Sequence, residues 1–147
     1  MRIRQATADD CAQVESIVAR AYGRYVAAMG QRPGPMLDDY ARRIADGEVF
    51  VAEADGAVSG ILVLIDADGA LLLDNVAVAP EAQGKGVGKA LIAFAEAEAA
   101  RRGYRKIRLY TNVAMTENLT LYPRLGYRET HRVTEKGFDR IYFEKEV

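Results

Sequence analysis

Residues 83–89 read Gln83-Gly84-Lys85-Gly86-Val87-Gly88-Lys89, and their setting decides the fold. Before them, the apolar run Leu71 to Val78, interrupted by Asp74 and Asn75 and closed by Pro80, predicts a strand. After them, an alanine-rich stretch to Arg102 predicts a long helix, with Leu91, Phe94, Ala95 and Ala99 on one face and Gly103 past its end. Glycines let a backbone come close to a ligand, and the first N–H groups of a helix point outward with no partner. The helix dipole adds partial positive charge at the same place, so strand, loop and helix start together suit an anion such as phosphate. Lys85 and Lys89 add charge at the rim. The plainer alternative is a turn that only lets the helix pack on a sheet.

Spacing narrows the ligand. A Walker A loop needs a glycine five residues before its Gly-Lys, then Ser or Thr. Here those positions hold Gln83 and Ala90. A dinucleotide fingerprint needs Gly-x-Gly-x-x-Gly, and its last position falls on Lys89 or Leu91.

Working outward, Ile3 to Ala6 predicts a first strand, and Thr7 with Asp10 a helix cap. Cys11, Val14, Val18, Ala21, Tyr25 and Ala28 form a helical stripe, which the prolines and glycines of residues 30–35 stop. Leu37, Tyr40, Ala41 and Ile44 mark a second short helix, closed by Gly47. Val49 to Ala54, Val58 to Ile65 and Leu71 to Val78 predict an antiparallel meander, turned at Asp55-Gly56 and Asp68-Gly69. Beyond the long helix come a strand (Ile107 to Thr111), a helix (Thr116 to Leu125) and two strands (Tyr127 to Val133, Arg140 to Glu144). The class is α/β, mixed, with one strand–loop–helix unit at its centre.

The 147 residues, half of them hydrophobic, predict a single domain able to bury its own core. Twenty basic against 21 acidic residues provide no field for nucleic acid or a membrane surface. Cys11 is the lone cysteine and His131 the lone histidine, so no disulfide and no Cys/His metal site is expected. No apolar run reaches the ~20 residues of a membrane helix, and Met1 to Gln5 lacks a signal-peptide core, so a cytoplasmic protein is expected. The basic run Arg101, Arg102, Arg105, Lys106, Arg108 reads as a solvated helix end.

Gln83, Gly86 and Gly88 fit Gln/Arg-x-x-Gly-x-Gly/Ala, which resembles the acyl-CoA loop of the GNAT (Gcn5-related N-acetyltransferase) superfamily. The stretch Asp74-Asn75-Val76-Ala77-Val78 with Pro80 resembles the family's fourth strand, and Ile107 to Asn112 its fifth. Asn118 to Tyr127, with Tyr122 and Gly126-Tyr127, resembles its second signature. The resemblance implies a mostly antiparallel sheet of six to seven strands with about four helices, strands four and five splayed apart. It implies acetyl transfer from acetyl-CoA to an amine acceptor, small molecule or protein; the alternative is a non-catalytic acyl-CoA-binding sensor.

By the same resemblance, Gln83, Gly84, Lys85, Gly86, Val87, Gly88 and Lys89 hold the pyrophosphate, backbone N–H groups among Val76, Ala77 and Val78 polarise the thioester carbonyl, and Asn118 bonds the pantetheine arm. Tyr122 is the general acid for the departing thiolate, or a half-buried aromatic. Asp74 is the general base, or a structural carboxylate, or is replaced by a water relay. The acceptor is placed along Tyr22 to Tyr40, with Tyr25 and Tyr40 as walls around Pro33-Gly34-Pro35 and Asp38 or Asp39 facing the amine; Tyr110 and Asn112 are further walls. Tyr25 and Tyr40 lie on helical stripes and read more readily as core positions. The strand Arg140 to Glu144 offers an edge through which two copies could pair as a homodimer.

Overall fold

The computed structural model describes Met1 to Val147, and regular structure falls where apolar periodicity and turn residues place it. The strands are β1 (Arg2–Gln5), β2 (Val49–Ala54), β3 (Ala57–Ala67), β4 (Ala70–Val78), β5 (Lys106–Asn112), β6 (Arg128–Glu135) and β7 (Phe138–Glu146). The helices are α1 (Cys11–Tyr22), α2 (Val26–Met29), α3 (Tyr40–Ala45), α4 (Val87–Arg101) and α5 (Asn118–Arg124). Asp55-Gly56 and Lys136-Gly137 both take positive φ at each residue, the backbone a two-residue hairpin turn requires. A 3-10 turn at Gly23–Tyr25 joins α1 to the single turn of α2, and Gly30 in the left-handed region ends it.

All seven strands form one sheet in the order β1-β2-β3-β4-β5-β7-β6. Every neighbouring pair is antiparallel except β4 and β5, which are parallel. That pairing covers only Leu71–Leu73 against Ile107–Leu109. Beyond Leu73 the two strands part, as the family resemblance implies. The cause lies in β4: Val63 faces Asn75 but Leu64 faces Leu73, so Asp74 is an extra residue, a β-bulge. A bulge bends its strand and re-aims the side chains beside it.

Registers assign the two faces. Val76 and Val78 share a face with α4, since Gly88 of α4 lies against Val78. Asn75 bonds Tyr22 of α1 on the other face. Gly60 in β3 is where α4 comes closest. A Cβ there would stand 2.9 Å from Leu91, 3.0 Å from Val87 and 3.2 Å from the Ala77 carbonyl. A core of 30 buried residues joins both layers; Ile61, Leu62, Leu71, Leu91, Ile107 and Ile141 are among its fully enclosed members. At the start of α1, the Thr7 amide and hydroxyl donate to Asp10, which also takes the Arg4 guanidinium at 2.8 and 2.9 Å. Those bonds, led by Arg4, hold the Asp10 carboxyl down at about 2.

One expectation is corrected. Arg140 to Glu144 is not an edge: β7 lies between β5 and β6 and is bonded on both sides. The last hairpin folds back, so β6 takes the outer position, and the dimer pairing suggested for Arg140 to Glu144 has no free strand to use. No helix is long and apolar enough to cross a membrane.

Candidate active site

The parting of β4 from β5 opens a cleft of about 460 Å³ through the sheet. Its lining comes from β4 (Leu73 to Val78), β5 (Tyr110 to Asn112), the loop and first turn at residues 82–84 and 86–89, α5, the end of α1 and Pro33 to Pro35, while Lys85 stands outside it.

On the α4 side the site is built from backbone. Gly84 (φ 79°) and Gly86 (φ 84°) hold left-handed conformations that other residues adopt only with strain, and a Cβ at either would meet nothing but open space. Gly86 is the residue before α4, and its carbonyl takes the first helical bond from Ala90 at 3.0 Å. The amides of Val87, Gly88 and Lys89 are left without helical acceptors. The Gln83 side chain turns back and donates to the Val78 carbonyl at 3.2 Å, tying loop to strand. Lys85 and Lys89 are exposed at the rim. These features fit a diphosphate.

The β4 ladder shows which backbone groups face the gap. The Ala79 amide bonds Ser59, so alternation along the antiparallel pair directs Ala77 and Asn75 toward β3. Val76 and Val78 direct their backbone groups away from β3. Their carbonyls agree: the Val76 oxygen lies 3.1 Å from the Tyr22 hydroxyl, and the Val78 oxygen takes Gln83. The N–H groups open to the cleft are therefore those of Val76 and Val78, while the Ala77 amide belongs to the sheet.

Tyr122, buried in α5, packs edge-on against Tyr127 at 5.8 Å and beside Phe143 at 5.9 Å. Its hydroxyl has no partner within the chain, yet no buried side-chain oxygen is sealed without one, so the hydroxyl opens into the cleft. Burial pushes its proton affinity up to about 12, so it stays protonated at neutral pH. Pro123 is the sixth residue of α5, and the helix ends one residue after it, at Arg124. The Asn118 amide nitrogen donates to the Thr111 hydroxyl at 3.0 Å, leaving its oxygen as an acceptor in the cleft.

On the α1 side the site is built from side chains. Asp74 accepts the Tyr110 hydroxyl at 2.8 Å. Burial raises its carboxyl above the usual range, opposed by that hydrogen bond and by Arg43. Beside it, Asn75 is 3% exposed and bonded at both ends of its amide. The Tyr22 hydroxyl donates to its oxygen at 2.6 Å, and its nitrogen donates to the Tyr40 hydroxyl at 2.9 Å. Tyr40 in turn donates to the Pro35 carbonyl. This chain pins α1 and the proline loop to the bulge.

The structure thus brings most of the expected residues to one cleft and redistributes several. Tyr40 does not reach it; at 3% exposure it is a core residue that positions the proline loop. Asp38 pairs with Arg43 at 3.0 Å, and Asp39 caps α3, so neither faces the cleft. Asn112 lines the cleft, but its side-chain oxygen takes the Ala114 amide at 2.9 Å, a turn-forming bond. Tyr25 is on the wall with the Arg24 guanidinium over its ring at 4.7 Å. Arg24 also reaches Glu117 at 2.7 Å, closing the rim between α1 and α5. Sequence reasoning missed Asn75 as an organiser, although a second polar residue in an apolar strand was a signal. It also missed Arg140 and Phe138 as cleft residues, since only the fold brings these distant positions to the Tyr22 wall expected from the sequence.

A family model described as "Acetyltransferase (GNAT) domain" matches residues 45–129. No curated protein sequence matches the chain. Among solved structures, the PaiA N-acetyltransferase of Thermoplasma acidophilum, in complex with coenzyme A, superposes with a TM-score of 0.80 at 19% identity, covering 99% of this chain and 98% of that one. The ribosomal-protein-S18-alanine N-acetyltransferase of Escherichia coli gives 0.78 at 21% identity, with 99% and 93% covered. YncA of Salmonella typhimurium, with its cofactor acetyl-CoA, gives 0.74 at 23% identity, again with 99% and 93% covered. At these identities the likeness is one of fold.

Proposed function

The chain belongs to the GNAT acetyltransferases, and from that premise we propose that it transfers the acetyl group of acetyl-CoA directly to an amine. The observation that carries the reading is the splayed cleft: unpartnered amides at the start of α4 on one wall, the free Tyr122 hydroxyl within it, and Asp74 on the far side. Two of the structural neighbours are complexes with coenzyme A or acetyl-CoA, which supports the same donor here.

The amides of Val87, Gly88 and Lys89, with the loop glycines and Gln83, hold the pyrophosphate, and Lys85 and Lys89 add charge beside it. The Val78 N–H and the Asn118 oxygen bond the pantetheine arm. Bound there, acetyl-CoA supplies an acetyl carbon activated as a thioester. The Val76 N–H polarises its carbonyl, and a donor aimed at developing negative charge is worth about 3 kcal/mol. Asp74 takes a proton from the acceptor ammonium, directly or through water, leaving a neutral amine to attack. As the N–C bond forms and the C–S bond breaks, Tyr122 donates its proton to the departing sulfur, and the proton shed by the acylated nitrogen returns to the Tyr122 oxygen through water. A hydroxyl with proton affinity this high serves best where the thiolate is also buried, since burial raises the thiolate in the same direction.

The test is release of free thiol from acetyl-CoA by purified protein across a panel of primary amines. Turnover with at least one amine, with N-acetylated product found by mass spectrometry, is the expected result. Coenzyme A binding with no acetylation of any amine, protein amines included, would contradict the enzyme.

A further inference from the structure

Arg140 lies on the same face of the sheet as Tyr110 and Asp74, and its side chain is only 11% exposed. Its guanidinium stands over the Tyr110 ring at 4.5 Å and over Phe138 at 5.1 Å. Nη1 donates to Glu135 at 3.3 Å, and Tyr142 also donates to that carboxylate. The Nε and Nη2 groups have no acceptor in the chain, neither is sealed from solvent, and Arg140 lines the cleft. Nη2 faces the proline loop so closely that a Cβ on Gly34 would stand 3.1 Å from it. The missing Cβ of Gly34 thus makes room for the guanidinium itself. Nε and Nη2 form the edge of guanidinium that matches a carboxylate with two parallel hydrogen bonds. Desolvated donors without acceptors are costly unless a ligand or water completes them.

We infer that Arg140 is a specificity-determining residue and that the acceptor is a small primary amine carrying a carboxylate close to its nitrogen, of the α-amino acid type. Tyr110 sets the spacing: its hydroxyl holds Asp74, and its ring face carries Arg140. A zwitterion bridging the two directs its ammonium to Asp74 and its carboxylate to the Nε/Nη2 edge. Tyr25, Met29 and the proline loop then surround its side chain. The inference rests on the acetyl-transfer reading for the reaction, but the carboxylate contact is a matter of binding alone.

The experiment compares the standard α-amino acids with their C-terminal amides, using the full chain saturated with acetyl-CoA for thiol release and with coenzyme A for thermal shift. At least one amino acid should be preferred over its own amide by ~10-fold or more in kcat/KM, the scale of a charge-assisted pair. Arg140→Gln should bring the two close to parity, and Arg140→Lys should fall between, with coenzyme A affinity unchanged in both as proof of folding. Amides used as well as acids, a preference that survives Arg140→Gln, or no amino acid either acetylated or stabilising would overturn the inference. In the first of these cases acetyl transfer itself would still stand. Failure to bind coenzyme A, in contrast, would strike the wider reading.

Discussion

The two sides of the cleft are made of different material. The α4 side is backbone: left-handed glycines, a helix start and strand amides left over by the alternation of the ladder. The α1 side is side chain: Asp74, Tyr110, Arg140 and the Tyr22–Asn75–Tyr40 chain. A backbone site depends on conformation and not on residue type, which suits a ligand common to many sequences. A side-chain site can be rewritten one residue at a time, so under the proposed function it is the side that would select the acceptor. The Asp74 bulge serves both, because it ends the β4–β5 pairing and turns Asp74 and Asn75 toward α1.

The largest expected effect lies where the two sides meet. Tyr122→Phe removes the proton and little else, so kcat should fall by ~10²–10⁴-fold, with coenzyme A affinity held. Equal turnover in the variant would remove Tyr122 from the chemistry. Gly86→Val comes next and touches the α4 side alone. A β-branched residue at φ 84° costs roughly 1–2 kcal/mol of backbone strain, so coenzyme A should bind about tenfold more weakly by calorimetry. An unchanged affinity would show that the loop conformation does not set the site.

The smallest effect is confined to the α1 side and is a shift in pH. The acid limb of kcat/KM should lie above the usual carboxylate range, because burial raises Asp74 and the base must lose its proton to act. The Tyr110 hydroxyl favours the charged form, so Tyr110→Phe should raise Asp74 further and move that limb to higher pH. A limb that stays in place, or moves to lower pH, would mean that another group or water is the base.

The same contrast explains what could be read from the sequence. Glycine spacing, Pro80 and the alanine-rich helix are local, and the α4 side was legible in Gln83 to Lys89. The strand meander and its turns were local too. Tyr122 and Asn118 were reached through the family signature, and the structure turns both toward the cleft. The α1 side was only partly legible. Tyr40 sits on a helical stripe and could be wall or core, and its hydroxyl contacts, made through Asn75, decide for core. Arg140 was read only as the start of a terminal edge strand, because nothing local shows that the last hairpin folds back to set β7 beside β5. The bulge was equally hidden, since register is a property of two strands and Asp74 belongs to one.

The central claim is that the amides at the start of α4 hold the diphosphate of an acyl carrier. Calorimetric titration of the folded chain tests it most directly, with coenzyme A and acetyl-CoA against ATP and NAD as controls. The account predicts saturable one-to-one binding of both coenzyme A forms, weakened in Gly86→Val, and far weaker heats with the nucleotides. Folded protein that gives no heat with coenzyme A, or that binds ATP or NAD instead, would contradict it.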